Sequence, residues 1–263
     1  MSQKSIVFFD SGVGGLPYLK RAKQYMAGEN FIYVADVENF PYGEKSANEL
    51  RKIIHELTKN IIKKINPKLI VIACNTASVV ALSTLREEFG IPFVGVVPAI
   101  KPAGENKPEG SIGLLATRKT IEEPYTDNLI DQFAAGSRVE KYAGIDLVDF
   151  VENRFLDAPE EERLNIVADA SNYFSNKNIS TIVLGCTHFV YLKNYFEEYF
   201  DQSVKIIDSV EGVCQQIKRL IDFENPELNI SLKDRFFVTS NKIDEPKYLK
   251  FAEQFNLTWS GLL

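Results

Sequence analysis

Cys74 and Cys186 are the residues of this chain best placed to do chemistry. Each follows a short apolar run, Val71-Ile-Ala before Cys74 and Val183-Leu-Gly before Cys186, and each is followed by residues with hydrogen-bonding side chains, Asn75-Thr76 and Thr187-His188. An apolar run that opens onto such a cluster reads as a buried strand reaching its carboxyl end, where α/β proteins bind ligands. Loop N–H groups and the positive end of a helix favour a thiolate there, and the same donors can hold a carboxylate. Two chemistries fit. Two thiols can invert a stereocentre, one removing a proton from one face of a carbon and the other returning a proton to the opposite face. Alternatively, one Cys paired with a His acts as a nucleophile, and Cys186-Thr187-His188 offers such a pair at a spacing of two. The third cysteine, Cys214, lies on an apolar helical stripe with Val210, Ile217 and Ile221 and reads as a core residue. His55 lies inside an amphipathic helix and reads as a surface or boundary residue.

The surrounding pattern alternates strand and helix. Expected strands are 6–9, 31–35, 69–73, 91–97, 111–116, 138–142, 181–185, 204–207 and 235–239. Helices are expected at 16–26, 47–65, 75–89, 120–135, 145–155, 160–175, 191–200, 210–223 and 246–255. Ser46-Ala-Asn-Glu49 has the spacing of a capping box. Leu50, Ile53, Ile54, Leu57, Ile61, Ile62 and Ile65 then form one apolar stripe that stops at Asn66-Pro67. Gly90 is expected to terminate the following helix. This alternation implies parallel sheets with helices on both faces. Pro98 to Gly110, rich in Pro and Gly, reads as a crossing between two units. The expected division is residues 1–97 plus 208–263 for one α/β domain and 98–207 for the other. The two halves also echo each other. Lys4–Ser11 matches Gly110–Thr117 at an offset of 106, and Val71–Thr76 matches Val183–His188 at an offset of 112.

Composition excludes several classes. The 263 residues carry 30 Lys plus Arg against 36 Asp plus Glu, a net charge of −6, which is no basic footprint for nucleic acid. Apolar stretches are too short to span a bilayer. The start shows no secretory leader, and three cysteines without a Cys-x-x-Cys pair suit a reducing compartment rather than a disulfide scaffold or zinc site. Gly12, Gly14 and Gly15 do not have the spacing of a dinucleotide loop. Lys45, between Glu44 and Ser46, does not mark a Schiff-base site.

Four motifs together, Phe9-Asp-Ser-Gly-Val-Gly-Gly-Leu16, Pro41-Tyr-Gly-Glu44, Ala73-Cys-Asn-Thr-Ala77 and Gly185-Cys-Thr-His188, resemble glutamate racemases. The resemblance runs from about residue 5 to 255. It implies two similar parallel-sheet α/β domains related by a pseudo-two-fold, with the active site between them. It also implies cofactor-independent interconversion of L- and D-glutamate, a cytoplasmic location, a role in supplying D-glutamate for peptidoglycan, and a homodimer. On this resemblance Cys74 and Cys186 are the catalytic acid/base pair, Cys74 serving D-glutamate and Cys186 L-glutamate. Asp10 and His188 assist them, and Glu152 is a further acid near the second thiol. Asp10, Ser11, Tyr42, Gly43, Asn75, Thr76, Thr117, Thr187 and His188 would contact substrate; no metal is expected. Read alone, Asp10-Ser11 also suits a simple turn at a strand end, and Glu152 a solvated helical position. Pro17 stands where the family commonly has Thr or Ser, and Ala116 where Gly is common. Racemisation of aspartate or another amino acid, and a non-catalytic two-domain amino-acid binding protein, are the alternatives.

Overall fold

A computed structural model describes residues 4–105, 110–221 and 233–263. The chain divides into two compact units, Met1–Val96 with Val210–Leu263, and Val97–Ser209.

The first unit opens with β1 (Ile6–Asp10), α1 (Leu16–Tyr25), β2 (Phe31–Ala35), α2 (Ala47–Ile65), β3 (Leu69–Ile72), α3 (Asn75–Glu88) and β4 (Phe93–Gly95). The second contains α4 (Ile100–Glu105), β5 (Ser111–Ala116), α5 (Arg118–Glu122), α6 (Pro124–Phe133), β6 (Val139–Ala143), α7 (Ile145–Asn153), α8 (Glu160–Ile166), α9 (Ala168–Ser175), β7 (Ile179–Gly185), α10 (Lys193–Tyr199) and β8 (Lys205–Ile207). The chain then returns to the first unit with α11 (Val210–Leu220), β9 (Arg235–Val238), α12 (Glu245–Gln254) and β10 (Thr258–Leu262).

The first sheet has the order β10-β9-β2-β1-β3-β4 and the second β6-β5-β7-β8, every pairing parallel. This is the expected α/β class, and the sequence echo is a structural one. Ile6, Val7, Phe8 and Phe9 pair with Leu69, Ile70, Val71 and Ile72. Offsets of 106 and 112 convert these pairs into Ile112↔Thr181, Gly113↔Ile182, Leu114↔Val183 and Leu115↔Leu184, which are the observed partners in the second sheet. Each cysteine therefore follows the strand on the same side of its central strand.

Burial explains the continuous apolar runs. β1, β2 and β3 are buried along their whole length. In the second unit Ile112, Leu114, Ala116 and Val183 pack into one apolar cluster, while Leu115, Ile182 and Leu184 pack into another with Phe150, Phe174 and Phe189. Alternate strand residues thus serve two covered faces, as parallel sheets require. α2 starts as expected, with the Glu49 N–H donating to Ser46 Oγ at 3.3 Å. It ends at Asn66, left-handed at φ 53°.

Several expectations are corrected. Gly90 does not terminate α3; Phe89 does, turning to extended backbone at φ −113°, ψ 133° while its ring packs on His55 and Phe93. The expected strand 91–97 pairs only over Phe93–Gly95. The Pro98–Gly110 crossing contains α4, which buries Ile100 and Ala103 and whose Gly104 lies against the Phe133 carbonyl with no room for a Cβ. The helix expected over 120–135 is two, divided where Glu123 adopts the extended backbone that a following proline favours. That over 160–175 divides at Val167. A 3-10 helix, Thr187–Leu192, precedes α10, and β10 has no counterpart among the expected strands. The end of the helix expected at 210–223, and most of the 228–234 segment, lie outside the described residues.

Gly15 illustrates what positions the first thiol. A Cβ there would lie 2.5 Å from the Ala73 Cβ and 2.9 Å from the Ala73 carbonyl oxygen, so the loop after β1 lies directly on the residue before Cys74. We expect Gly15→Ala to lower unfolding free energy by about 1–3 kcal/mol, the usual cost of overpacking, as read by chemical denaturation. An unchanged denaturation midpoint contradicts the close approach.

Candidate active site

Cys74 is the N-cap of α3, with φ −141° and ψ 123°; Cys186 precedes the 3-10 helix Thr187–Leu192 with φ −140° and ψ 138°. The carbonyl of each accepts the N–H that begins the next turn, Ser78 at 2.9 Å and Phe189 at 3.1 Å. Both side chains are nearly buried, at 6% and 5% exposure. The two thiols therefore share a backbone conformation as well as a register position.

Around Cys74 the first unit gathers Asp10, Ser11, Tyr42, Asn75 and Thr76, all buried, with Gly43 half-buried. Ser11 donates to Asp10 Oδ1 through its N–H at 2.6 Å and its hydroxyl at 3.2 Å, so the expected strand-end turn is present. Tyr33 braces the following loop, its hydroxyl donating to the Gly12 carbonyl at 2.8 Å and accepting from the Gly15 N–H at 3.1 Å. Tyr42 lies in a 3-10 turn, Tyr42–Glu44, and its hydroxyl donates to Asp36 Oδ2 at 2.6 Å. Burial, then the Asp36 carboxylate, hold this phenol well above the usual tyrosine value of 10.0, and the charges of Cys74 and Asp10 add to the effect. The Asn75 carboxamide is buried with neither Nδ2 nor Oδ1 hydrogen-bonded. A buried amide is normally satisfied, so this one is suited to a polar ligand at the start of α3.

The second unit builds a relay behind Cys186. Its Sγ lies 3.9 Å from His188 Nδ1, and His188 Nε2 lies 3.1 Å from Glu152 Oε2. His188 and Glu152 are buried, at 3% and 1% exposure. Glu152, on α7, is therefore not solvated as an isolated helical glutamate would be. Accepting from the Nε2–H, the carboxylate orients the ring and leaves Nδ1 facing the thiol. Thr187 is buried beside this relay. Thr117 directly follows β5 and caps α5, its Oγ1 accepting from the Thr120 N–H at 3.2 Å.

Cys214 and His55 lie where the sequence places them. Cys214 is fully buried on α11, and burial followed by the Glu211 charge pushes its thiol up to about 11. His55 is a boundary residue between Glu56 at 3.2 Å and Glu88 at 2.9 Å. Among the described residues no cluster of three or more His, Cys, Asp or Glu could hold a metal, and no helix is long and apolar enough to cross a membrane. A cleft of about 390 Å³ in the first unit is lined by Asp36, Lys52, Ile53, Leu57, Thr239 and Leu263 among others, but by neither thiol. Sequence reasoning gives Asp36 no role in this site, although it directly follows β2 and comes just before the Pro41–Glu44 motif.

Comparison with known proteins gives a consistent result. Residues 18–217 match the Asp/Glu/hydantoin racemase family. The glutamate racemase of Treponema pallidum is 34% identical over 263 residues, covering 99% of this chain and 97% of that protein. The crystal structure of Escherichia coli glutamate racemase in complex with L-glutamate and the activator UDP-MurNAc-ala matches with a TM-score of 0.88 and 29% identity, over 99% of this chain and 98% of that one. That of Francisella tularensis glutamate racemase in complex with D-glutamate matches with a TM-score of 0.79 and 25% identity, over 100% and 98%.

The Tyr42 shift has a consequence for stability. An unfolded tyrosine ionises near 10, whereas the folded one holds its proton to higher pH. Its contribution is thus complete below pH 10 and is lost as pH rises beyond it. In thermal melts across that range, Tyr42→Phe should lose less stability than the wild type; parallel losses would contradict the buried, carboxylate-paired phenol.

Proposed function

The chain belongs to the Asp/Glu/hydantoin racemase family, and we propose that it interconverts L- and D-glutamate with Cys74 and Cys186 as the acid/base pair. The observation that carries this reading is the equivalence of the two thiols, which occupy matching register positions with matching backbone angles in two similar units. A symmetric reaction calls for two similar groups of opposite protonation. One thiolate takes the α-proton, the substrate becomes a planar carbanion, and the other thiol protonates the opposite face. Running in reverse exchanges the two roles, so each thiol ends a turnover in the state from which the opposite direction begins.

The surrounding residues divide the remaining work. Cys74 serves D-glutamate with Asp10 beside it, and Cys186 serves L-glutamate with His188 beside it and Glu152 orienting the imidazole. Asn75 and Thr76, at the positive end of the 14-residue helix α3, suit a substrate carboxylate, which the helix dipole favours. The unsatisfied Asn75 amide supports that placement. Ser11, Tyr42, Gly43, Thr117, Thr187 and His188 complete the contacts. Donors fixed in advance stabilise the charge that develops as the proton leaves. The reaction as drawn needs no cofactor. In this reading the protein is a cytoplasmic homodimer that supplies D-glutamate for peptidoglycan. Light scattering coupled to gel filtration reads the assembly.

Proton transfer by a positioned group typically contributes 10²–10⁴-fold. Cys74→Ser and Cys186→Ser should each lower the racemisation rate by roughly that factor, followed by circular dichroism from either enantiomer, while Cys214→Ala stays within about twofold. Near-wild-type turnover by either serine variant would sink the two-thiol mechanism. Turnover of aspartate but not glutamate would keep the reaction and replace the substrate.

A further inference from the structure

Each unit buries a carboxylate among its candidate site residues, and the two are held differently. In the second unit Glu152 fixes His188 beside Cys186. In the first unit the corresponding acid is Asp36, 1% exposed at the end of β2. Its N–H donates to the Asp10 carbonyl at 2.7 Å, which ties it to the strand end carrying Asp10 and Ser11.

Three segments donate to the Asp36 carboxylate. Tyr42 Oη reaches Oδ2 at 2.6 Å, Asn39 Nδ2 reaches Oδ1 and Oδ2 at 3.1 and 3.0 Å, and Thr239 Oγ1 reaches Oδ1 at 2.7 Å. Thr239 directly follows β9, 203 residues along the chain from Asp36. It is itself anchored, its N–H donating to the Ala35 carbonyl at 3.2 Å and its Oγ1 accepting from the Glu38 N–H at 3.1 Å. A buried carboxylate is costly unless donors satisfy it, and an apolar residue would cost less if only packing mattered. What the cage fixes is Tyr42, and with it the Tyr42–Gly43 backbone near Cys74 and Asp10.

We propose that Asp36 is a positioning residue for the racemase reaction, acting through Tyr42, and that Thr239 is the strap that sets Asp36. The proposal rests on the glutamate racemase reading. Asp36 does not touch the reacting carbon. Its work is to hold the substrate-contacting turn in one place, so its loss acts chiefly on substrate affinity.

Steady-state kinetics on full-length Asp36→Asn, Thr239→Val and Thr239→Ser, with thermal melts alongside, test this. Asp36→Asn turns one acceptor oxygen into a donor facing Tyr42 and Asn39. We expect it to raise KM for glutamate about tenfold, the scale of a lost hydrogen bond to a charged group, with kcat within about threefold. Thr239→Val should raise KM in the same sense by a smaller factor, and Thr239→Ser, which keeps the hydroxyl, should restore the wild-type KM. An unchanged KM in folded Asp36→Asn overturns the proposal. So does a KM rise in Thr239→Val that persists in Thr239→Ser, since the methyl group rather than the hydrogen bond would then be responsible. If Asp36→Asn does not fold, the Thr239 pair decides alone. A wild type that racemises no glutamate overturns the functional reading instead, before any variant is compared.

Discussion

Parallel pairing of β1 with β3, and of β5 with β7, is the constraint on which the rest depends. In a parallel pair the two strands end on the same side of the sheet. The loop or helix that leaves one strand is therefore presented together with the loop or helix that leaves its neighbour. Asp10 and Ser11 thus come to Cys74, and Thr117 comes to the strand end that carries Cys186. Gly15 shows how little tolerance this leaves, since even a methyl group would collide with Ala73. The tight loop after β1 and the small residue before the thiol form one fitted surface.

Chemistry on that frame is tuned by burial. The residues around each thiol are nearly all buried, which strengthens each hydrogen bond and raises the cost of any polar group left alone. Each unit buries a carboxylate that is held by hydrogen bonds, Glu152 on His188 and Asp36 on Tyr42. In the second unit the carboxylate acts through an imidazole, giving a sequence of thiol, ring and acid. In the first the carboxylate is hydrogen-bonded by a phenol that burial holds protonated to higher pH. Cys214 is buried on α11, and burial followed by the Glu211 charge pushes its ionisation up to about 11.

Much of this is legible in the sequence because it is local. Cys74 and Cys186 announce themselves by the apolar run before them and the polar pair after them. The repeat is visible because both sheets keep the same register, so two constant offsets survive in the sequence. The illegible part depends on partners far along the chain. Nothing near Glu152 says that His188, 36 residues away, will remove it from solvent. Nothing near Asp36 points to Thr239. Helix breaks escape for a related reason. Val167 and Glu123 interrupt apparently continuous helical stretches, and at Glu123 the following Pro124 is the available signal. β10 escapes notice because Trp259, Ser260 and Gly261 lack a strand pattern and pair with β9 through an irregular register.

The central claim is that the two thiols work on opposite faces of one carbon. The most direct test is solvent exchange of the glutamate α-proton in heavy water, followed by proton nuclear magnetic resonance with L- and D-glutamate in separate samples. The wild type should exchange both. Cys74→Ser should lose exchange chiefly from D-glutamate and Cys186→Ser chiefly from L-glutamate, so that the two variants are complementary. Loss from the same enantiomer in both variants, or exchange of both enantiomers retained in either, would contradict the account.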